Sequence, residues 1–224
     1  MVTAGTDTSV VVIGAGQAGL SVAYYLPLPA TATRSQRRLV RLAALFSGLD
    51  AADVMPTLIG LRFSKRDTQW ISTVVGRWRE VGPEIEKAFA TRDAPSDAAV
   101  RGWVARIGRL HVSPVMRLGA AIWSARAAAG GPAPAMQAAK RLCRRMLKIA
   151  FRDPIELRDL AVDGDDLKRA GVSRGPGLGQ ILQTLLQRVL EDPSLNRTDW
   201  LLQEAVRLHH GDGSGTIKGR GHWD

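Results

Sequence analysis

Residues 153–205 read DPIELRDLAVDGDDLKRAGVSRGPGLGQILQTLLQRVLEDPSLNRTDWLLQEA. The stretch predicts short helices separated by three loops, VDGDD, GVSRGPG and EDPSLNRTD. Asp163 and Asp166 have the spacing of a capping-box pair at the start of a helix. Gly171 is the residue type that ends such a helix. The spacing of these signals therefore indicates helices, and not strands, for this part of the chain.

Two further helices are predicted in the same stretch. Gly175, Pro176 and Gly177 open a longer helix, whose apolar residues recur at three- and four-residue steps. Pro193 ends that pattern, and Asn196 is expected to cap a last helix.

The turn before the longer helix has the composition of a phosphate site. The amides of Gly177, Leu178 and Gly179 are expected to point out of the positive end of the helix. Gly175 and Gly177 have no side chains, so a sugar-phosphate backbone can approach the turn closely. Two cations, Arg169 and Arg174, flank the turn. The alternative is a tight connection between packed helices, which often contains glycine.

This stretch resembles the C-terminal tail of bacterial CCA-adding tRNA nucleotidyltransferases, in which a DLAxxGxDL segment precedes a GPxxGxxLxxLLxxVLEDPxLN segment. The matching residues are Asp159, Leu160, Ala161, Gly164, Asp166, Leu167, Gly171, Gly175, Pro176, Gly179, Leu182, Leu185, Leu186, Val189, Leu190, Glu191, Asp192, Pro193, Leu195 and Asn196. A weaker likeness extends upstream through LRFSKRDTQWISTVVGRW at 61–78 and covers in all roughly residues 35–208.

The resemblance implies a tRNA-binding body and tail that work in tRNA 3′-end processing. The family's catalytic head carries an Asp-x-Asp pair after a Gly-Ser turn, and that pair holds two metal ions. Only Asp163 and Asp165 have this spacing here, and they lie in a loop without the Gly-Ser turn. We therefore expect no catalytic residues, no metal site and no activity from this chain alone. Mg²⁺ would enter only if a separate nucleotidyltransferase head supplied the chemistry.

A helix predicted over about residues 135–151 carries the strongest charge pattern. Its cations fall at three- and four-residue steps opposite an apolar side, and such cations suit contact with an RNA backbone. They are Arg141, Arg144, Arg145, Lys148 and Arg152. The alternative is a solvated charged face.

The composition is consistent with a polyanionic partner. The chain of 224 residues has 31 Lys and Arg against 21 Asp and Glu, a net charge of +10. Such a surplus steers polyanions and also keeps a protein soluble. The single cysteine, Cys143, excludes an internal disulfide and suits the cytoplasm.

Residues 8–26 differ from the rest of the chain. A β-branched run leads into Gly14, Gly16 and Gly19, which resemble the phosphate turn of a Rossmann-type FAD or NAD(P) domain. No acidic residue follows at the ribose-binding distance, so this is read as an incomplete fragment over 1–28, and cofactor binding is the alternative function. The glycines, together with Asp7 and the lack of nearby Lys or Arg, argue against a membrane span or signal peptide.

The prediction for the whole chain is an all-α protein with this short β-turn-α fragment at its start. A helical body covers 29–150, a helical tail 151–208, and a disordered segment 209–224. Pro83 is expected to begin a new short helix within the body.

Overall fold

The computed structural model describes residues 34–91 and 93–212, which contain nine α-helices and no strand. The all-α class is thereby confirmed. The fragment 1–28, with Gly14, Gly16 and Gly19, lies outside the described residues. The helices are α1 (Arg34–Phe46), α2 (Ala51–Gly60), α3 (Lys65–Ala90), α4 (Asp97–Ile107), α5 (Val112–Ala128), α6 (Met136–Arg152), α7 (Gly164–Arg169), α8 (Pro176–Glu191) and α9 (Thr198–Asp212). Three 3₁₀ turns cover Arg109–His111, Leu157–Asp159 and Pro193–Leu195.

The helices form two compact units. The first comprises the described residues up to Pro95 together with Arg106–Lys148. The second comprises Ser96–Ala105 and the described residues from Ile149 onward. Residues 96–105, predicted to be part of the helical body, group with the second unit.

An aromatic cluster lies in the core of the first unit. Trp78 of α3 and Trp123 of α5 meet edge to face, with ring centroids 5.4 Å apart, and Phe89 contacts Trp123 in the same way at 5.5 Å. The Trp123 indole donates a hydrogen bond of 2.8 Å to the Glu86 carboxylate, so its one polar atom is satisfied. Edge-to-face geometry and large buried rings make this cluster a major stabilising feature of α3 and α5.

Helix α3 runs through Pro83 without interruption, so the prediction of a new helix there is wrong. Proline costs about 3 kcal/mol inside a helix because it lacks an N–H and its ring meets the preceding turn. Val81 and Ile85, on either side of Pro83, are both fully buried. Burying such side chains contributes roughly 1.5 to 3 kcal/mol each, which is enough to offset the proline.

The second unit is built around α8, which packs against α7 and α9. Leu167, Ile181, Leu185 and Leu201 from these three helices are buried in one cluster. The predicted capping box is confirmed, because Asp163 accepts the amides of Asp165 and Asp166 and Asp166 accepts that of Asp163. The hydrogen bonds that the Asp163 carboxylate accepts from the Asp166 amide, and then from the Asp165 amide, hold the pKa of Asp163 below its usual range.

Two predictions about the end of the chain need correction. The side chain of Asn196 does not cap the last helix: it accepts from the Ala161 amide at 2.8 Å and donates to the Asp159 carbonyl at 2.9 Å. Helix α9 begins at Thr198 and continues to Asp212, so residues 209–212 are helical and not disordered. The remainder of the predicted disordered segment lies outside the described residues.

Arg101 of α4 is a buried cation of the second unit, with 8% of its surface exposed. Its Nε donates to the Leu190 carbonyl at 2.6 Å and its Nη2 to the Glu191 carbonyl at 2.9 Å. Its Nη1 lies 3.4 Å from the Asp153 carboxylate. The guanidinium thus satisfies the last carbonyls of α8, which have no partner inside the helix.

Within the described parts of the chain, no helix combines the length and the apolar character that a membrane crossing requires.

Substitution of Gly119 by alanine tests the packing of the aromatic cluster. A Cβ at Gly119 would lie 2.3 Å from two atoms of the Trp78 ring. We expect Gly119→Ala to lower the free energy of unfolding by about 1 to 3 kcal/mol, because overpacking forces the ring or a backbone to shift. Gly76→Ala is the control, since a Cβ there meets nothing within 4 Å and should stabilise α3 by up to about 1 kcal/mol. Chemical denaturation measures both, and equal effects would contradict the packing described.

Replacement of Arg101 by methionine tests the end of α8. We expect Arg101→Met to lower the free energy of unfolding by roughly 1 to 3 kcal/mol, because it leaves the buried Leu190 carbonyl without a donor and the half-buried Asp153 carboxylate without its cation. Arg106→Met on the same helix removes the half-exposed ion pair with Glu84 and should cost about 1 kcal/mol or less. The midpoint of guanidinium unfolding, followed by circular dichroism, separates the two, and a small effect at Arg101 would refute its structural role.

Candidate nucleic-acid interface

Helix α6 forms because nearly all of MQAAKRLCRRMLKIAFR consists of good helix formers without glycine or proline. Its apolar residues fall on one side, where Ala139, Leu142 and Met146 are buried. Cys143 is half-buried beside them, and burial raises the pKa of its thiol despite the nearby cations Arg117 and Arg144. The amphipathic pattern therefore directs the charged residues of α6 toward solvent.

The exposed side of α6 carries cations and no acidic residue. Arg141, Arg144 and Lys148 are exposed and make no ion pair with any residue that the structure describes. Lys140 is also exposed and lacks an ion pair there; it was not among the predicted cations, although it lies four residues before Arg144. These four side chains, all in the first unit, are the α6 cationic face.

Many other arginines in the described part of the chain form ion pairs with nearby carboxylates. Arg106 lies 2.5 Å from Glu84, and Arg126 lies 3.2 Å from Glu86. Other such pairs are Arg38–Asp67, Arg77–Glu80, Arg79–Asp50, Arg158–Glu156, Arg188–Glu204, Arg197–Asp199 and Arg207–Glu204. The α6 cationic face thus contrasts with these pairs, because four neighbouring positive charges on one helix have no acidic partner among the described residues.

Arg145 has a different role from its neighbours. It is half-buried, and its Nη1 donates to the Pro95 carbonyl at 2.7 Å. Together with Arg141 it lines a cavity of about 450 Å³ that also includes Phe89 and Asp93. Because the Asp93 carboxylate shares this cavity, the cavity itself suits a phosphate less well than the open face does. Arg145 does not belong to the α6 cationic face, because it is half-buried and bound to the Pro95 carbonyl, whereas Arg141 is exposed.

The remaining predicted cations belong to the second unit. Arg152, at the end of α6, is exposed and has no ion pair in the described part of the chain. Arg174 is exposed and equally unpaired there, whereas Arg169 is bound 2.6 Å from the Asp166 carboxylate. Of the two cations expected beside the glycine-rich turn, only Arg174 thus has its charge uncompensated.

The glycine-rich turn has the expected exposure. Gly175, Gly177 and Gly179 are all exposed, and a Cβ at any of them would meet nothing within 4 Å among the described atoms. Gly175 has φ +152°, a conformation that side chains rarely adopt. The Leu178 amide, predicted to be free, donates to the Gly175 carbonyl at 3.2 Å. The backbone conformation at position 175 therefore requires glycine. At positions 177 and 179, by contrast, no steric contact requires glycine.

Asp163 and Asp165, the pair with Asp-x-Asp spacing, have other partners. Asp163 caps α7, and Asp165 lies 2.7 Å from Lys168 Nζ. Among residues 34–91 and 93–212, no three His, Cys, Asp or Glu side chains are placed to share a metal ion.

The glycines of this turn give a test of their separate roles. Gly175→Ala should lower the stability of the folded chain by roughly 1 to 3 kcal/mol, because alanine is strained at this φ. Gly177→Ala should be neutral or stabilise by up to about 1 kcal/mol, because it lies in the helix with free space around it. Urea denaturation of both variants decides the matter; a large loss at Gly177 would mean that packing already requires that glycine.

No family model, curated protein or solved structure matches this chain. The resemblance to the CCA-adding enzymes thus stays a prediction that rests on the residues quoted above.

Proposed function

We propose that the chain binds folded RNA through contacts between the α6 cationic face and the sugar-phosphate backbone. One observation carries the proposal: Lys140, Arg141, Arg144 and Lys148 are exposed on one helix with no acidic residue among them and no ion pair in the described chain. Like charges at three- and four-residue spacing repel one another. Phosphates beside them relieve that repulsion and release counterions, which favours binding.

The motif at 159–196 points to tRNA as the RNA. Proteins recognise double-stranded RNA mainly by its shape and its phosphates, and arginine and lysine side chains on a helix suit that mode. In this proposal the chain holds tRNA for 3′-end processing, and a separate nucleotidyltransferase head with Mg²⁺ performs nucleotidyl transfer. The protein alone is expected to bind tRNA without extending it.

Salt dependence of tRNA binding tests the cationic face. We expect Arg144→Gln and Lys148→Gln each to weaken binding and to reduce the steepness of the negative slope of log K against log salt by about 0.7 to 0.9, which corresponds to one phosphate contact each. Lys87→Gln is the matched control, because Lys87 is an exposed cation of the same unit, outside α6, with no ion pair in the described residues. Titrations of labelled tRNA at several salt concentrations measure the slopes.

Two results would contradict the proposal. Equal slopes for the α6 variants and the Lys87 control would remove α6 from the interface. Equal affinity for tRNA and for duplex DNA of similar length would leave general polyanion binding in place of RNA recognition.

A further inference from the structure

A second surface of the first unit lies outside α6. It is an open hollow of about 650 Å³, lined by Lys65, Arg66, Gln69, Trp70 and Thr73 of α3 and by His111 of the first 3₁₀ turn. Its volume falls within the range of about 300 to 1,000 Å³ that is typical of small-molecule pockets. No carboxylate contributes to its lining. We call it the Trp70 hollow.

The periodicity of α3 brings its lining residues together. Arg66 and Trp70 are four residues apart, as are Lys65 and Gln69, so both pairs share one side of the helix. Ser64 caps α3 by accepting the Asp67 amide at 3.1 Å, which holds the first turn in place. Trp70 is only half-buried, while its neighbours Ile71 and Val74 are fully buried. A large flat ring thus remains partly uncovered at the hollow.

The charges around the hollow favour an anion. Lys65 and Arg66 are exposed and form no ion pair within the described residues. The one carboxylate in that turn, Asp67, lies 3.4 Å from Arg38 and forms no ion pair with Lys65 or Arg66. A phosphate at the hollow would therefore meet two uncompensated cations without a competing acidic group.

His111 adds a neutral polar group. Burial, and after it the charge of Arg77, lower the pKa of the His111 imidazole and so favour the neutral ring. The imidazole makes no hydrogen bond to the part of the chain that is described. A neutral imidazole offers one donor and one acceptor, which suits the edge of a nucleobase.

We propose that the Trp70 hollow binds an unpaired nucleotide of the RNA, with its base stacked on Trp70 and its phosphates at Lys65 and Arg66. The proposal rests on RNA binding as the function. Stacking platforms with neighbouring cations are how proteins hold single-stranded nucleic acid. A base inside a duplex has both faces covered, so this contact selects single-stranded ends or loops.

The test compares one hairpin RNA with and without a short single-stranded 3′ overhang. Wild-type protein should bind the overhang form more tightly, and Trp70→Leu should lose that gain, roughly 5- to 150-fold per stacked base. Trp70→Phe keeps an aromatic ring and should retain most of it. Trp200→Leu is the matched control, a half-buried tryptophan of the second unit. Circular dichroism verifies that each variant is folded.

The two proposals fail in different ways. Loss of the α6 cations weakens both hairpins, whereas Trp70→Leu weakens only the overhang form. An overhang that adds nothing in the wild type, or adds as much in Trp70→Leu, overturns the Trp70 hollow and leaves RNA binding intact. If neither hairpin binds, RNA binding through α6 fails, and a labelled single-stranded oligonucleotide decides the hollow: Trp70-dependent binding supports it and its absence overturns it.

Discussion

The second unit depends on the hydrogen bonds that the Arg101 guanidinium donates to the end of α8. A helix leaves its last carbonyls without internal partners, and a buried carbonyl without a donor is costly. Arg101 supplies two donors in one plane to Leu190 and Glu191, and Asp153 balances its charge. Because α8 packs against both α7 and α9, satisfying its end in this way also secures the core that the three helices share. This explains why residues 96–105 group with the tail.

The same residue type has the opposite role on α6. Arg101 is enclosed by carbonyls and a carboxylate, whereas Arg144 and Arg141 extend from a helix that lacks acidic residues. Solvated cations contribute little to folding, and adjacent ones destabilise a helix by a few tenths of a kcal/mol per pair. Folding stability alone therefore does not account for these neighbouring cations, which supports the proposed contact with an anionic partner.

Local features were predictable from the sequence, and distant partners were not. The Asp163–Asp166 capping box joins residues three apart, so the spacing of the residues is sufficient to find it. Asn196, Arg145 and Arg101 have partners 35, 50 and 89 residues away, which no periodicity reveals. The prediction of a helix start at Pro83 is wrong for a related reason. Helix propensity disfavours proline, but the burial of Val81 and Ile85 on either side of it is known only from the packed structure.

The same division holds for the candidate sites. Helical spacing predicted the charged side of α6, yet it could not distinguish Arg145, which binds Pro95, from its exposed neighbours. Trp70 lies next to the fully buried Ile71 on α3, and helical spacing alone does not indicate that it is half-exposed at a hollow that His111 completes. The α6 face and the hollow then act by different physics. Charge attraction reaches about 8 to 10 Å and weakens with salt, so in the proposed function the α6 face would gather RNA of any sequence. Stacking acts only at contact and requires an uncovered base, so Trp70 would supply the selectivity for unpaired nucleotides that a charged helix alone lacks.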